Sequence, residues 1–431
     1  MAFGVGGGAA SGPSNKRGEV SAVLDIGSSK IVCFIGAQDP DVGVRLLGIG
    51  HHASAGIKCG AVVDMVAAEG AIRSAVEKAE RAAGFTISAV TVNVSARTLA
   101  SHHMSVGTKF ASGEVADRDL KRVLSSSLSE FDEPDHTIVH ALPLNWSVDD
   151  TRGIQDPRGM FGTRLGVDMH FVTTGIGGLR NLAHCVERCH LRIKSMVAAP
   201  MAAGLGALVD DELDLGATVI DMGAGVTTVA VFRERSLFFV DAVPIGGSHV
   251  SNDIARGFTT TLEAAERIKS LYGSALGSAS DDVQMISCPP IGERGETHKE
   301  SRALLTAIVR SRVEETFEIL RDRLKAAGVD EFAGRRIVLT GGASQLSGAA
   351  ELASIVFGKR VRVGRPNGLL GLSDTASGPG FAAAAGLMKH SFNPQRDAIK
   401  GAPDLSGQKY RKRRHAGNGI GRSLDWLKEN F

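Results

Sequence analysis

The chain has 431 residues, 43% of them hydrophobic, with 53 glycines, which is enough for two or more domains of a soluble α/β protein. Net charge is only +2 and the basic excess is local: residues 391–431 hold nine Lys or Arg against four Asp or Glu, which leaves −3 on the rest. Five scattered cysteines exclude a disulfide scaffold and fit a reducing compartment, and an uncharged run such as Ser195 to Val209, interrupted by Pro200, is too short and too rich in Ala and Gly to span a bilayer.

In chain order, residues 1–18 lack the basic and apolar stretches of a signal peptide and read as a disordered tail of a cytoplasmic protein. Glu19 to Gly36 reads as a hairpin around Gly27-Ser28-Ser29. Val66 to Ala83 has helical spacing and ends at Gly84, and Thr86 to Ser95 is a strand. From 99 to 178 the texture changes to short strand candidates, Thr137 to Trp146 and Asp168 to Thr174, around Asp156-Pro157-Arg158-Gly159, which reads as an inserted subdomain. Leu179 to Ile193 and the small-residue stretch Met196 to Leu208 read as helices. The plan then repeats: strand, glycine turn and strand from Ala217 to Phe232, a strand from Phe238 to Pro244, the turn Gly246-Gly247, and helix to Tyr272. Ser301 to Ala327 carries Leu305, Val309, Val313, Phe317, Leu320 and Leu324 on one stripe of a long helix. Arg336 to Leu339 is a strand, and Gly380 to Leu387 a closing helix.

Three glycine turns follow apolar strands: Asp25-Ile26-Gly27-Ser28-Ser29-Lys30, Asp221-Met222-Gly223-Ala224-Gly225 and Leu339-Thr340-Gly341-Gly342-Ala343. Glycine lets backbone N–H groups approach a phosphate without a Cβ in the way. The first two begin with Asp about 200 residues apart, as in a duplicated fold that holds a nucleotide between two lobes. Neither is a Rossmann fingerprint or a P-loop, because strand follows each turn. Asp25 and Asp221 facing each other beside phosphates require a divalent cation, and Mg²⁺ retaining its waters, bound through nucleotide and water with no direct protein ligand, meets that demand. Ser28, Ser29 and Thr227 supply hydroxyls and Lys30 a point charge. Gly341, Gly342 and Ala343 are placed against base and ribose. Glu266 and Lys269, one helical step apart, either bracket ribose hydroxyls or form an exposed ion pair.

Near the end, Ile420, Leu424, Leu427 and Phe431 fall on one narrow helical stripe with Trp426 at its flank. A helix over 419–431 is marginal in water and folds only when its apolar face meets lipid or protein. Residues 391–418 read as a basic flexible linker, whose Lys409 to Arg414 run adds attraction to anionic lipid. A nucleic-acid role has no basic face to support it. Cys185 with Cys189, and His136 with His140, have metal-like spacing without further ligands, and are read as structural.

Together the Asp25 to Lys30, Asp221 to Gly225, Ala265 to Lys269 and Leu339 to Gly342 segments resemble the phosphate and adenosine motifs of the actin/Hsp70/sugar-kinase superfamily. Within it the chain is most similar to the FtsA family of bacterial cell-division proteins. The resemblance implies a two-lobed actin-like fold of duplicated ribonuclease-H-like domains: a first lobe from 19–98 and 179–206, an α/β insert at 99–178, and a second lobe from 207–390 with an outer subdomain at 249–335. It also implies ATP binding, polymerisation and tethering of FtsZ filaments to the inner membrane at the division site. The surface for FtsZ is then the outer subdomain, and later division proteins meet the insert. Val226 stands where the family's second phosphate turn usually has Thr, and no residue stands out as a general base, so hydrolysis is at most slow. The rival enzyme reading is a sugar or acetate kinase of the same superfamily; a chaperone or pilus-assembly relative is the third.

Overall fold

The computed structural model describes residues 19–39, 43–110, 113–292, 296–331, 334–399 and 401–405. Apolar and β-branched runs on both sides of the first glycine turn form β1 (Val20–Ile26) and β2 (Lys30–Asp39), and β3 (Gly43–Ala53) continues the antiparallel meander. The short hairpin β4 (Ile57–Lys58) and β5 (Ala61–Val62) leads into α1 (Met65–Ala83). Asp64 caps α1 by accepting from the Ala67 N–H, and Gly84 ends it in the left-handed region at φ 79°. Strand β6 (Ala89–Val94) returns parallel to β1.

The insert follows: β7 (Ala100–Lys109), α2 (Asp117–Glu130), β8 (His136–Val148), β9 (Thr151–Ile154) and β10 (Arg164–Gly175). Its sheet runs β7-β10-β8-β9, and buried Leu120, Val123 and Leu124 of α2 join a separate core with Trp146, Leu165 and Phe171. Helix α2 goes beyond the strand candidates read there; its many charged residues and serines leave only a narrow apolar stripe. The insert also touches the other lobe. Ser101 Oγ donates to the Val240 carbonyl and accepts from the Val240 N–H, while His103 donates to the Phe238 carbonyl.

The chain re-enters the first lobe as α3 (Ile176–Arg188), β11 (Arg192–Ala198), parallel to β6, and α4 (Ala199–Ala207). The helix expected over 179–193 therefore stops at Arg188, and Met196 to Ala198, read as helix, end a strand: in the α/β unit the parallel sheet takes the β-branched and Met residues before Pro200 starts a new helix. Next come α5 (Asp210–Leu215), β12 (Ala217–Met222), β13 (Thr227–Arg233), β14 (Ser236–Val243), α6 (Gly247–Gly257) and α7 (Leu262–Tyr272). Thr259 at φ 46° and the Thr261 cap separate the last two, which sequence alone read as one helical stretch. The outer part adds β15 (Met285–Cys288), β16 (His298–Ser301) and α8 (Arg302–Ala326), whose buried side is the expected stripe with Ser301 as cap. The second half ends with β17 (Arg336–Thr340), α9 (Ala349–Phe357), β18 (Arg360–Val363), β19 (Leu369–Leu370) and α10 (Ala382–Phe392).

The first sheet runs β19-β3-β2-β1-β6-β11, with the two-residue β19 added beside β3, and the second runs β14-β13-β12-β17-β18. The strand order, the antiparallel meander and the parallel additions repeat, which is the duplicated architecture the two Asp-Gly turns implied. The small-residue helix α4 packs on α10 between the lobes; Cβ atoms on Gly206 or Gly386 would collide with the facing backbone. Among the described residues no helix is long and apolar enough to cross a membrane.

The expected flexible linker at 391–418 is corrected over its described part. Residues 391–392 complete α10, and the strap that follows is docked: Asp397 accepts from the Ala141 N–H at 2.9 Å, and the Ala398 N–H donates to the Ala141 carbonyl. Ala398 is 5% exposed within the insert's core. A polar, Pro-containing composition reads as linker, but the strap is held by hydrogen bonds to β8, by Arg180 and Thr137 on its carbonyls and by the buried Ala398.

Candidate functional site

Two turns of one geometry face each other between the lobes. The Gly27 N–H donates to the Lys30 carbonyl at 3.1 Å, and the Gly223 N–H donates to the Val226 carbonyl at 3.0 Å. A Cβ on Gly27 would stand 2.9 Å from the Lys30 oxygen, and one on Gly223 would stand 2.7 Å from the Val226 oxygen, so neither turn admits a side chain. The turns also meet: a Cβ on Gly225 would lie 2.9 Å from Ser28 Oγ and 2.8 Å from the Cys59 backbone. Ser28 Oγ accepts from the Gly60 N–H, which leaves its own proton to donate.

Behind each turn stands a carboxylate. Asn93 donates to Asp25 Oδ1 at 2.6 Å and accepts from the Ile26 N–H at 2.7 Å, so one side-chain amide fixes both the strand end and the acid. Burial pushes Asp25 up to about 6, against the pull of Lys30 and the Asn93 hydrogen bond. Burial, and then the proximity of Asp25, push Asp221 up to about 7, with Lys30 opposing. Lys30 is itself held below its usual range by burial, opposed by both carboxylates, and its Nζ lies 3.3 Å from the Phe381 ring centroid. Once both acids are ionised, two carboxylates and one ammonium in a partly dry cleft carry a net negative charge, and a cation relieves it.

The second lobe builds the rest of the floor. The N–H groups of Gly247 and Ser248, at the start of α6, donate to the carbonyls of Gly223 and Ala224 at 2.9 and 2.8 Å, which pins the second turn from below. Thr227, assigned to a phosphate from sequence, is fully buried and donates its hydroxyl to the Ile245 carbonyl at 2.7 Å, so it shapes the turn. Val226 is buried in the hydrophobic core. Lys269 donates to Glu266 at 2.8 Å, to Ser251 Oγ and to the Gly247 carbonyl, and Glu266 also accepts from Ser251. The two residues form the ion pair and also line the cleft. Gly341, at φ 85°, comes so close to Asp221 and the Met222 carbonyl that no Cβ fits, while a Cβ on Gly342 would meet nothing within 4 Å.

These parts enclose a cavity of about 740 Å³. Every residue assigned from sequence to phosphates, magnesium, ribose or base lines it: Asp25, Gly27, Ser28, Ser29 and Lys30 from the first lobe, and Asp221, Gly223, Ala224, Gly225 and Thr227 opposite, with Glu266, Lys269, Gly341, Gly342 and Ala343 toward one end. Sequence reasoning missed Asn93, Gly380 and Tyr272 as lining residues. An Asn inside the apolar run Val90 to Val94 was the available signal, since a buried amide in a strand needs partners. Among the described residues no cluster of three His, Cys, Asp or Glu could hold a metal. The membrane residues Ile420, Leu424, Trp426, Leu427 and Phe431 lie outside the described residues.

With this geometry the comparisons agree. The family described as cell division protein FtsA matches residues 218–386, and that described as the SHS2 domain inserted in FtsA matches 97–173. The cell division protein FtsA of Agrobacterium fabrum is 46% identical over 433 residues, covering 97% of this chain and 96% of the relative. A PilM-PilN type IV pilus biogenesis complex covers 87% of this chain and 99% of its own at 18% identity, with a TM-score of 0.63. MreB5 of Spiroplasma citri bound to ADP covers 88% of this chain and 99% of its own at 13% identity, with a TM-score of 0.51. The last two likenesses establish the actin-like fold.

Proposed function

The chain belongs to the FtsA family of cell division proteins, and from that premise we propose that it binds ATP with Mg²⁺ between its lobes, assembles into filaments and ties FtsZ to the cytoplasmic face of the inner membrane. The observation that carries the nucleotide part is the closure of two matching Asp-Gly turns over one cavity, with Gly225 against Ser28. The donor set fits the group: glycine turns without room for a Cβ, a lysine, and two carboxyls that burial pushes toward the neutral form and that a hydrated cation would return to the ionised one. Magnesium, when bound, neutralises the phosphates and these acids together.

In this reading Ser28, Ser29 and the backbone of Gly223 to Gly225 hold the phosphates, Lys30 offsets their charge, and Asn93 keeps Asp25 in place. Glu266 and Lys269 take the ribose, and Gly341 to Ala343 the adenosine. Val226 leaves the second turn without the hydroxyl usual there, and hydrolysis is correspondingly slow. The inserted subdomain meets later division proteins, the outer subdomain of the second lobe meets FtsZ, and the amphipathic tail with its basic run binds anionic lipid. Filament formation multiplies that modest anchor by avidity.

Liposome co-sedimentation of the full chain and of a version ending at Gly419, with and without ATP, tests the reading. Pelleting by the full chain alone, strengthened by ATP, is the expected result. Equal pelleting of both versions removes the anchor, and absence of any ATP effect removes the link to assembly.

A further inference from the structure

A second cavity, of about 750 Å³, opens where β8 of the insert, the start of α5, the β13–β14 turn, the end of α10 and the strap converge. It lies apart from the nucleotide cleft and shares no lining residue with it. Its apolar wall comes from Leu142, Leu144, Trp146, Leu205, Leu208 and Leu237.

Three polar residues line the same cavity, Lys389, His390 and Arg396. His390 is 7% exposed, yet its Nδ1 is buried without a hydrogen-bond partner. A buried imidazole nitrogen left unpaired costs about 1–3 kcal/mol. Lys389 uses its ammonium on the neutral oxygens of Leu205 and Asn367, and Arg396 uses one guanidinium nitrogen on the Gln155 carbonyl; neither is within ion-pair distance of a carboxylate among the described residues. Of the acids that line the cavity, Asp210 pairs with Arg235 while its charge also reaches Lys389, and Glu234 pairs with Arg233. Burial also holds the Lys389 ammonium below its usual range, opposed by the charge of Asp210.

We infer that this cavity is a binding site for an amphiphilic carboxylate, a molecule with an apolar chain against Trp146 and the leucines and an anionic head between Lys389 and Arg396. The size falls in the range of small-molecule sites, about 300–1,000 Å³, and two cations with no ion-pair partner among the described residues favour an anion over a neutral amphiphile. Because the walls come from the insert, both lobes and the strap, a bound ligand ties these parts to one another.

The chain has two tryptophans, Trp146 and Trp426, so Trp426→Phe makes Trp146 the sole reporter in the full-length protein. The probe is 11-bromoundecanoate, whose bromine quenches indole on contact, titrated below its aggregation range with the nucleotide cleft saturated by an ATP analogue. Expected are saturable quenching of Trp146, displacement by decanoate, and displacement by decanol about tenfold weaker or worse. Arg396→Gln, at an exposed position, is expected to weaken the probe about tenfold while nucleotide binding is unchanged. Non-saturable quenching, equal displacement by decanol, or an Arg396→Gln protein that binds the probe as the parent does would each overturn the assignment.

Discussion

His140 Nδ1 donates to Asp397 Oδ2 at 2.7 Å while His140 Nε2 accepts from the Ala198 N–H at 3.0 Å, so one imidazole joins the strap, the insert and the start of α4. The backbone N–H can only donate, which fixes the tautomer and points the ring's single proton at Asp397. Asp397 also accepts from the N–H groups of Ala141 and Ile399. Asp397→Ala is therefore expected to cost about 1.5–3 kcal/mol and to free the strap. Limited proteolysis after residue 392 should accelerate in the variant; an unchanged cleavage rate would show that the strap is held by other contacts.

Asp25 and Asp221 ionise only as the pH rises through about 6 and about 7. Their protonated forms stabilise the empty fold at low pH, and that contribution is lost as the pH rises through those values. A hydrated Mg²⁺ needs the ionised forms, so magnesium-dependent ATP affinity should increase about tenfold or more between pH 6 and pH 8. Calorimetry across that range should also detect proton release on binding. Asp221→Asn should flatten the dependence; a pH-independent affinity in the parent protein would contradict the assignment of these acids to the cation.

Adjacent glycines in the third turn should respond differently to the same methyl group. Gly341→Ala meets Asp221 and the Met222 carbonyl at a left-handed φ, so it should both destabilise the second lobe and abolish nucleotide binding. Gly342→Ala meets nothing within 4 Å and projects into open space. Its melting temperature should match the parent, while ATP affinity falls. Equal melting losses in the two variants would refute the distinction.

His170 holds the insert against β14 through hydrogen-bonding contacts at 2.8 Å with the Leu237 carbonyl and 2.9 Å with Ser101, and it stacks on His103. Burial, and then His103, push it down to about 3, so the unfolded chain takes up its proton first as the pH falls below the ordinary imidazole value. The stability from neutral His170 is fully present above about 6.5 and is lost progressively toward about 3, roughly 2 kcal/mol of it between pH 7 and pH 5. Because the two cleft acids shift in the opposite sense, the measurement is the difference between parent and His170→Gln denaturation curves at the two pH values. A difference that does not change with pH would rule out this titration.

The duplicated plan was legible because Asp25 to Lys30 and Asp221 to Gly225 each follow an apolar strand, and a turn without room for a Cβ leaves a glycine at a fixed place in the chain. The long stripe of α8 was legible for a similar reason, since its period is local. Helix α2, the division between α3 and β11 and the docked strap were not legible: each depends on a partner surface distant in sequence, such as β8 beneath Ala398. Sequence by itself determined the class of fold, the two turns and part of the lining of the cleft. Only the tertiary structure decided that Asn93 holds Asp25, that Thr227 is spent on the Ile245 carbonyl, and that Lys389 and His390 face a second cavity, because burial and hydrogen-bond partners are properties of the folded surroundings and not of any residue's own neighbours in the chain.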